Sequence, residues 1–238
     1  MNNSKQRILL TRPRGQNNEL KNKLSAKAFI VSVFPCIEIE RVTYEVPQIT
    51  PDSLVIFTSQ NAVRFFDGKS SKQTFAIGPS TQSALEKNDI SSCLPLQFNS
   101  EGLLALDALQ NIKGKKIFII CGENPRPLLS DTLTQRGATV ELVHCYRRIQ
   151  PVYTAEEIEP IVQQHFDALV STSTESLNNL NELLTQHRSW LYNQPLLVIS
   201  DKMKALAMDL GFISKIIVCK DATNESIVDS LMTLYNGD

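Results

Sequence analysis

Short, uninterrupted apolar runs alternate along this chain with segments whose apolar residues recur every three or four positions. The runs predict buried strands at 8–10, 29–33, 54–57, 75–77, 117–120, 139–143, 168–170, 196–199 and 215–218. The amphipathic segments predict helices over 19–27, 62–66, 80–87, 103–109, 128–135, 175–184, 202–210 and 225–235. Strand and helix alternate in strict order, which predicts an α/β fold with parallel sheets. The strands are apolar at consecutive rather than alternate positions, as expected where helices cover both faces of a sheet.

Two stretches break the pattern. Residues 38–52 are polar and carry Pro47 and Pro51, and residues 147–160 carry Pro151, Pro160 and an acidic run. They lie roughly 110 residues apart and read as paired crossings between two domains. A weak repeat agrees. A shift of 109 lays Ile8-Leu9-Leu10 on Ile117-Phe118-Ile119, and a shift of 114 lays Val55 to Ser59 on Leu169 to Ser173. A shift of 122 lays Ile77-Gly78 on Ile199-Ser200. At about 150 residues per domain, 238 residues make one large domain or two small ones, and the repeat favours two. Two α/β domains leave a cleft, a usual place for a small ligand.

Charge and cysteine content narrow the function. The 24 basic and 25 acidic residues leave a net charge of −1, against a surface built to coat nucleic acid or an acidic membrane. Five cysteines, odd in number and without a C-x-x-C pair, argue against a disulfide framework or a zinc site. His144, His165 and His187 are too scattered for a metal cluster. The polar start to Arg7 shows no secretory h-region, and no run approaches the ~18 apolar residues of a membrane span. A reduced, cytoplasmic compartment is expected.

Candidate chemistry gathers where strands end and helices begin. Thr11-Arg12-Pro13-Arg14-Gly15 follows the first strand, at the end that faces the ligand crevice in doubly wound sheets. Its guanidinium groups suit carboxylates or phosphates, and its plain structural reading is a solvated turn. Thr58-Ser59-Gln60-Asn61 and its echo Thr172-Ser173-Thr174-Glu175 offer helix N-caps, and free N–H groups beside them can receive an anion. Gly78-Pro79-Ser80-Thr81 and Ser200-Asp201-Lys202 occupy matching strand-to-helix turns. Cys121-Gly122-Glu123-Asn124-Pro125-Arg126 lacks the G-K-[ST] ending of a phosphate loop, against nucleotide binding. Tyr146, beside Arg147 and Arg148, is a candidate acid, since adjacent positive charge favours a phenolate; its plain reading is a packing tyrosine. Cys145 has no identifiable base. No G-x-S-x-G, H-E-x-x-H or paired-carboxylate signature is present.

The ordered pieces T-R-P at 11–13, V-I-F-T-S-Q-N-A-V at 55–63, A-I-G-P-S-T at 76–81, S-E-G-L-L at 100–104, C-G-E-N-P-R-P-L-L at 121–129, R-G-A-T-V-E-L-V-H-C-Y-R-R at 136–148, S-T-S-T-E-S-L at 171–177 and V-I-S-D-K at 198–202 resemble the uroporphyrinogen-III synthase family. The resemblance spans about 8–234. It implies two similar doubly wound parallel-sheet domains joined by a two-stranded linker: 1–36 with 151–238, and 40–146, with linkers near 37–40 and 146–150. It implies cyclisation of hydroxymethylbilane, a polycarboxylate linear tetrapyrrole, to uroporphyrinogen III. Water is lost, ring D is inverted and a spiro-pyrrolenine is the intermediate. It implies Tyr146 as general acid, and substrate contacts from Arg12, Thr58, Ser59, Asn61, Gly78, Thr81, Gly122, Arg126, Thr172, Ser173 and Ser200. No metal or organic cofactor is implied, and a monomer is expected. Cys121 departs from the arginine that many relatives carry there. Two readings from other classes stay open on the residues alone: a non-catalytic two-domain binder of an anionic metabolite, and a two-domain sugar transferase.

Overall fold

The continuous apolar runs form two five-stranded sheets, in a computed structural model that describes residues 5–236. Residues 1–4, within the polar start and the expected first domain, and residues 237–238 lie outside the described residues. The chain divides into two units, Met1–Glu38 with Ile149–Asp238, and Ile39–Arg148.

Unit one opens with β1 (Arg7–Leu10), α1 (Asn18–Ala26) and β2 (Ile30–Val33). Strand β3 (Glu38–Arg41) carries the chain into unit two. There follow β4 (Leu54–Phe57), α2 (Gln60–Phe65), β5 (Gln73–Ala76), α3 (Pro79–Glu86), α4 (Ser100–Leu104), β6 (Lys116–Gly122), α5 (Leu128–Gln135) and β7 (Thr139–Ile149). Back in unit one come α6 (Ala155–Val162), β8 (Ala168–Val170), α7 (Thr174–Leu183), α8 (Arg188–Tyr192), β9 (Leu196–Val198), α9 (Asp201–Leu210), β10 (Ile216–Val218) and α10 (Asn224–Asn236).

The sheet of unit one runs β10-β9-β8-β1-β2, and the sheet of unit two β3-β7-β6-β4-β5. All pairs among β10, β9, β8, β1 and β2, and among β7, β6, β4 and β5, are parallel. Edge strand β3 lies beside β7, where Val42 N–H donates to the Cys145 carbonyl and Glu40 pairs with Arg147, contacts that run in opposite senses along the two segments. Among the parallel strands of each sheet the chain starts near the middle, at β1 and at β4, steps one way and then the other. That is the doubly wound order, with the reversal between β1 and β8 in unit one and between β4 and β6 in unit two.

Side-chain alternation explains why the strands are apolar throughout. Leu9, Leu169, Leu196 and Val198 pack with α7 and α9 on one face of the first sheet. Ile8, Leu10, Ala168, Val170 and Leu197 pack with α1 and α10 on the other. In unit two Leu54, Ile56, Ile117, Ile119 and Cys121 meet α4 and α5, while Val55, Phe57, Phe118 and Ile120 meet α2 and α3.

The structure adds elements to the sequence expectation. Part of the 38–52 stretch is β3, half-exposed and too polar to read as a strand. Within 147–160, α6 begins at a Thr154–Glu157 capping box and holds Pro160 inside it, with no fully buried residue. Helix α8 had no predicted counterpart. The expected 103–109 helix divides into α4 and a 3-10 turn at Asp107–Leu109. Strand β7 continues past 143 to Ile149.

All five cysteines are free, and Cys36, Cys121, Cys145 and Cys219 are buried while Cys93 is exposed. Burial pushes the Cys121 thiol up to about 12 and the Cys145 thiol up to about 11, so neither is a thiolate at neutral pH. One thiol, Cys93, is expected to react rapidly with a colorimetric disulfide reagent in the native protein. The other four should react only on denaturation, and Cys93→Ser should abolish the fast phase.

Candidate active site

Parallel strands place their carboxyl ends along one edge of each sheet, so turns remote in sequence become neighbours. In unit two this edge carries Thr58 and Ser59 after β4, Gly78 after β5, and Gly122 at the end of β6 beside Tyr146 on β7. In unit one it carries Thr11 and Arg12 after β1, Thr172 and Ser173 after β8, and Ser200 after β9.

Tyr146 is aimed by an irregularity. Cys121 pairs with His144, yet the next residue, Gly122, pairs with Tyr146, so β7 has one more residue than β6 at Cys145. Such a bulge shifts the side-chain alternation by one. Val143, Cys145 and Tyr146 therefore all point into the same core, although 145 and 146 are consecutive. The Tyr146 side of the sheet has room for a ring because Gly122 lacks a side chain. A β-carbon there would lie 2.7 Å from Cε2 and Cζ of Tyr146. The glycine is needed for this close approach, not for an unusual φ.

The Tyr146 residue is 5% exposed, and its hydroxyl lies 3.0 Å from Ser59 Oγ. Ser59 is the N-cap of α2, and its Oγ accepts from the Ala62 N–H at 3.0 Å. Phe65, from the same helix, packs at a tilt on the Tyr146 ring with centroids 6.3 Å apart. Arg64 lies over the Phe65 ring. On β6 and β7, His144 Nδ1 lies 3.0 Å from the Gly122 carbonyl. A carbonyl can only accept, so His144 carries its proton on Nδ1 in that bond. The Glu123 N–H donates to the Tyr146 carbonyl, closing the turn after Gly122.

The expected pair of arginines beside the phenol is corrected at Arg147. Strand alternation turns it away from Tyr146, and it is held by Glu40 at 2.7 Å in an exposed ion pair. The immediate polar neighbour of the phenol is a serine.

The other residues singled out in the sequence fall into three groups. Several are engaged within the fold. The Arg12 guanidinium donates to Asn224 Oδ1 and to the Ala222 carbonyl, both at 2.6 Å, tying the β1 turn to the start of α10. Burial lowers its pKa. Thr58 Oγ1 donates to the Ile120 carbonyl. Ser173 and Ser200 cap α7 and α9, accepting from Ser176 N–H and Met203 N–H. Others are closed in: Thr81 is 1% exposed, and a β-carbon on Gly78 would meet Phe98 at 3.3 Å. Asn61, Arg126 and Thr172 make a third group. Among the described residues their side chains have no hydrogen-bond or ion-pair partner.

Sequence reading missed Phe65, Phe98 and His144 as neighbours of the site, and the bulge that aims Tyr146. The three consecutive residues His144-Cys145-Tyr146 gave no hint of which would face inward. Among the described residues no group of three or more His, Cys, Asp or Glu side chains could hold a metal ion. No described helix is long and apolar enough to cross a membrane.

Comparison with known proteins meets this geometry from outside. Residues 4–229 match the family model described as uroporphyrinogen-III synthase HemD. The uroporphyrinogen-III synthase of Salmonella typhimurium is 35% identical, over 94% of this chain and 99% of that protein. That of Escherichia coli is 33% identical, with the same two coverages, 94% and 99%. Among solved structures, the Helicobacter pylori uroporphyrinogen-III synthetase matches with a TM-score of 0.65 at 14% identity, covering 96% of this chain and 99% of that one. A mutant uroporphyrinogen III synthase from Thermus thermophilus matches with a TM-score of 0.55 at 18% identity, covering 97% and 99%. At those identities the structural likeness is one of fold. The family model and the two bacterial relatives carry the assignment further: the chain belongs to the uroporphyrinogen-III synthase family.

Proposed function

We propose that this protein cyclises hydroxymethylbilane to uroporphyrinogen III, as a cofactor-independent lyase of tetrapyrrole and heme biosynthesis. The observation that carries the reading is the Tyr146 phenol, aimed by a strand bulge, seated on Gly122 and bonded to Ser59 at a sheet's carboxyl edge, in a chain of this family.

The chemistry begins with loss of the bilane's hydroxyl as water, for which Tyr146 is the general acid. Departure of water leaves a cationic azafulvenium, which is attacked at the substituted carbon of ring D. The spiro-pyrrolenine so formed fragments and recloses with the ring inverted, and the proton lost as that ring regains aromaticity returns to the phenolate. Simple closure without inversion competes, so the protein must hold the chain in the folded-back geometry, where orientation lowers the barrier. Carboxylate contacts serve that positioning. Asn61, Arg126 and Thr172 have free donor groups for it. The backbone turns at Gly78 and Gly122, and the capping residues Ser173 and Ser200, are secondary partners. Arg12, already committed to Asn224 and Ala222, contributes through the shape of its turn. The two units are proposed as the family's two domains, and the protein as a monomer acting in the cytoplasm.

The deciding experiment is isomer analysis. Hydroxymethylbilane is supplied to the purified, metal-free protein, and the products are oxidised and separated. Type III in excess over the enzyme-free control is the expected result. Type I alone at the spontaneous rate means either an inactive relative or a binder without turnover, which titration with uroporphyrinogen then separates.

General acid catalysis contributes roughly a hundredfold or more. Tyr146→Phe is therefore expected to lower kcat for type III formation by about that factor, with little change in thermal stability. Arg12→Ala separates a tie from a substrate contact. Removing two charge-assisted hydrogen bonds is expected to cost about 1–3 kcal/mol of stability, read in a denaturant melt, with KM changing less than about threefold.

A further inference from the structure

We infer that Ser59 is a positioning residue that acts through Tyr146 rather than on the substrate, by donating its proton to the phenol oxygen; this rests on the proposed cyclase reading. The inference follows from the valence of one oxygen. Ser59 Oγ has one proton and two lone pairs. One lone pair is already committed, because Oγ accepts from the Ala62 N–H at 3.0 Å as the cap of α2. The only other polar side-chain atom within hydrogen-bond distance of Oγ among the described residues is Tyr146 Oη, at 3.0 Å.

The shared proton can run either way. If the phenol donates to Ser59, its O–H points into the protein and must turn before Tyr146 can act as an acid. If Ser59 donates, every group is used: the N–H and the serine proton are both bonded, and the phenol proton is left for the substrate. The second direction also strengthens during the reaction. As the Oη–H bond breaks and the proton moves to the departing hydroxyl, which leaves as water, Oη becomes a phenolate. A hydroxyl donating to an ionised oxygen is about twice as strong as one donating to a neutral oxygen. Stabilisation that grows toward the transition state raises kcat and leaves ground-state binding alone.

The cap fixes where the serine proton can go. Held by Ala62 N–H, Oγ cannot rotate away without leaving that N–H unpaired at the helix start. Gly122, against the ring, sets the depth of Tyr146, and the bulge at Cys145 sets its direction. Ser59 thus meets an oxygen whose position is determined independently.

Three substitutions test this. Ser59→Ala should lower kcat for type III formation roughly ten- to a hundredfold, the value of a hydrogen bond to a charged group, with KM within about twofold. Ser59→Thr keeps cap and donor and should recover most of the rate. Ser59→Gly serves nearly as well at a helix N-cap and has neither hydroxyl nor charge, so it should fold and remain as slow as Ser59→Ala. In a Tyr146→Phe background, Ser59→Ala should cost less than about twofold further. The inference is overturned if Ser59→Ala raises KM at unchanged kcat, if Ser59→Gly is as fast as Ser59→Thr, or if the losses at 59 and 146 multiply. Should Ser59→Ala fail to fold, the Gly and Thr variants still decide. A wild-type protein that forms no type III isomer overturns the cyclase reading and this inference together. Type III formation with wild-type behaviour at position 59 overturns the inference alone.

Discussion

Parallel pairing constrains everything else in this protein. A parallel strand must return to the same end before it can pair again, so each connection crosses the sheet, and each carboxyl end opens on the same edge. The helices that make the crossings cover both faces, which is why Ile117, Phe118, Ile119 and Ile120 can all be apolar and all be buried. The same constraint leaves the strand-to-helix turns as the places where polar groups collect. Ser59, Ser173 and Ser200 each occupy such a turn and each cap the helix that follows. A turn that must end a strand and start a helix selects a small hydroxyl residue first for folding. Chemistry is then laid over that requirement.

The weak internal repeat acquires a physical meaning in the sheet order. The three shifts pair β1 with β6, β2 with β7, β4 with β8 and β5 with β9. Read across the sheets, β9-β8-β1-β2 then overlies β5-β4-β6-β7, neighbour for neighbour. The chain visits the two sets in different order, because unit one is interrupted after β2 and completed from β8 onward. Ser59 and Ser173 are equivalent in this scheme, as are Gly78 and Ser200. Tyr146 has no equivalent tyrosine: β2 ends at Val33 within four residues, whereas β7 runs on for eleven. The proposed acid thus sits on the part of the strand that the repeat does not duplicate.

What was legible in the sequence was what local patterning controls. Doubly wound α/β architecture follows from apolar runs separated by amphipathic segments, and those signals are short-range. Strand β3 was not legible, because an edge strand with Glu38, Glu40 and Arg41 carries no apolar run. Helix α6 was hidden by Pro160 and by its lack of a fully buried residue. At the site, Tyr146 and the capping serines were legible as types, while their partners were not. The Arg12 bonds reach 212 residues along the chain to Asn224, and the contact of Ser59 with Tyr146 spans 87. No window of sequence contains both ends of either. The bulge is harder still. It is a difference of one residue between two strands, visible only once the register of both is known.

A phenol is an unusual choice of acid, and the substrate proposed here accounts for it. A carboxylic acid with an ordinary pKa near 4 is ionised at neutral pH; it could not donate a proton and would repel a polycarboxylate. An imidazolium would attract the carboxylates, at the risk of being neutralised by one of them instead of reaching the departing hydroxyl. A phenol, with an ordinary pKa near 10, is protonated and uncharged, so it neither repels nor captures. Its weakness as an acid is the remaining difficulty. In the proposed arrangement a neutral hydroxyl donates to Oη, held there by a helix cap, and stabilises the forming phenolate without bringing a charge to the site. On that proposal, the pairing of Ser59 with Tyr146 joins a folding requirement of α2 to the stabilisation of the acid's conjugate base.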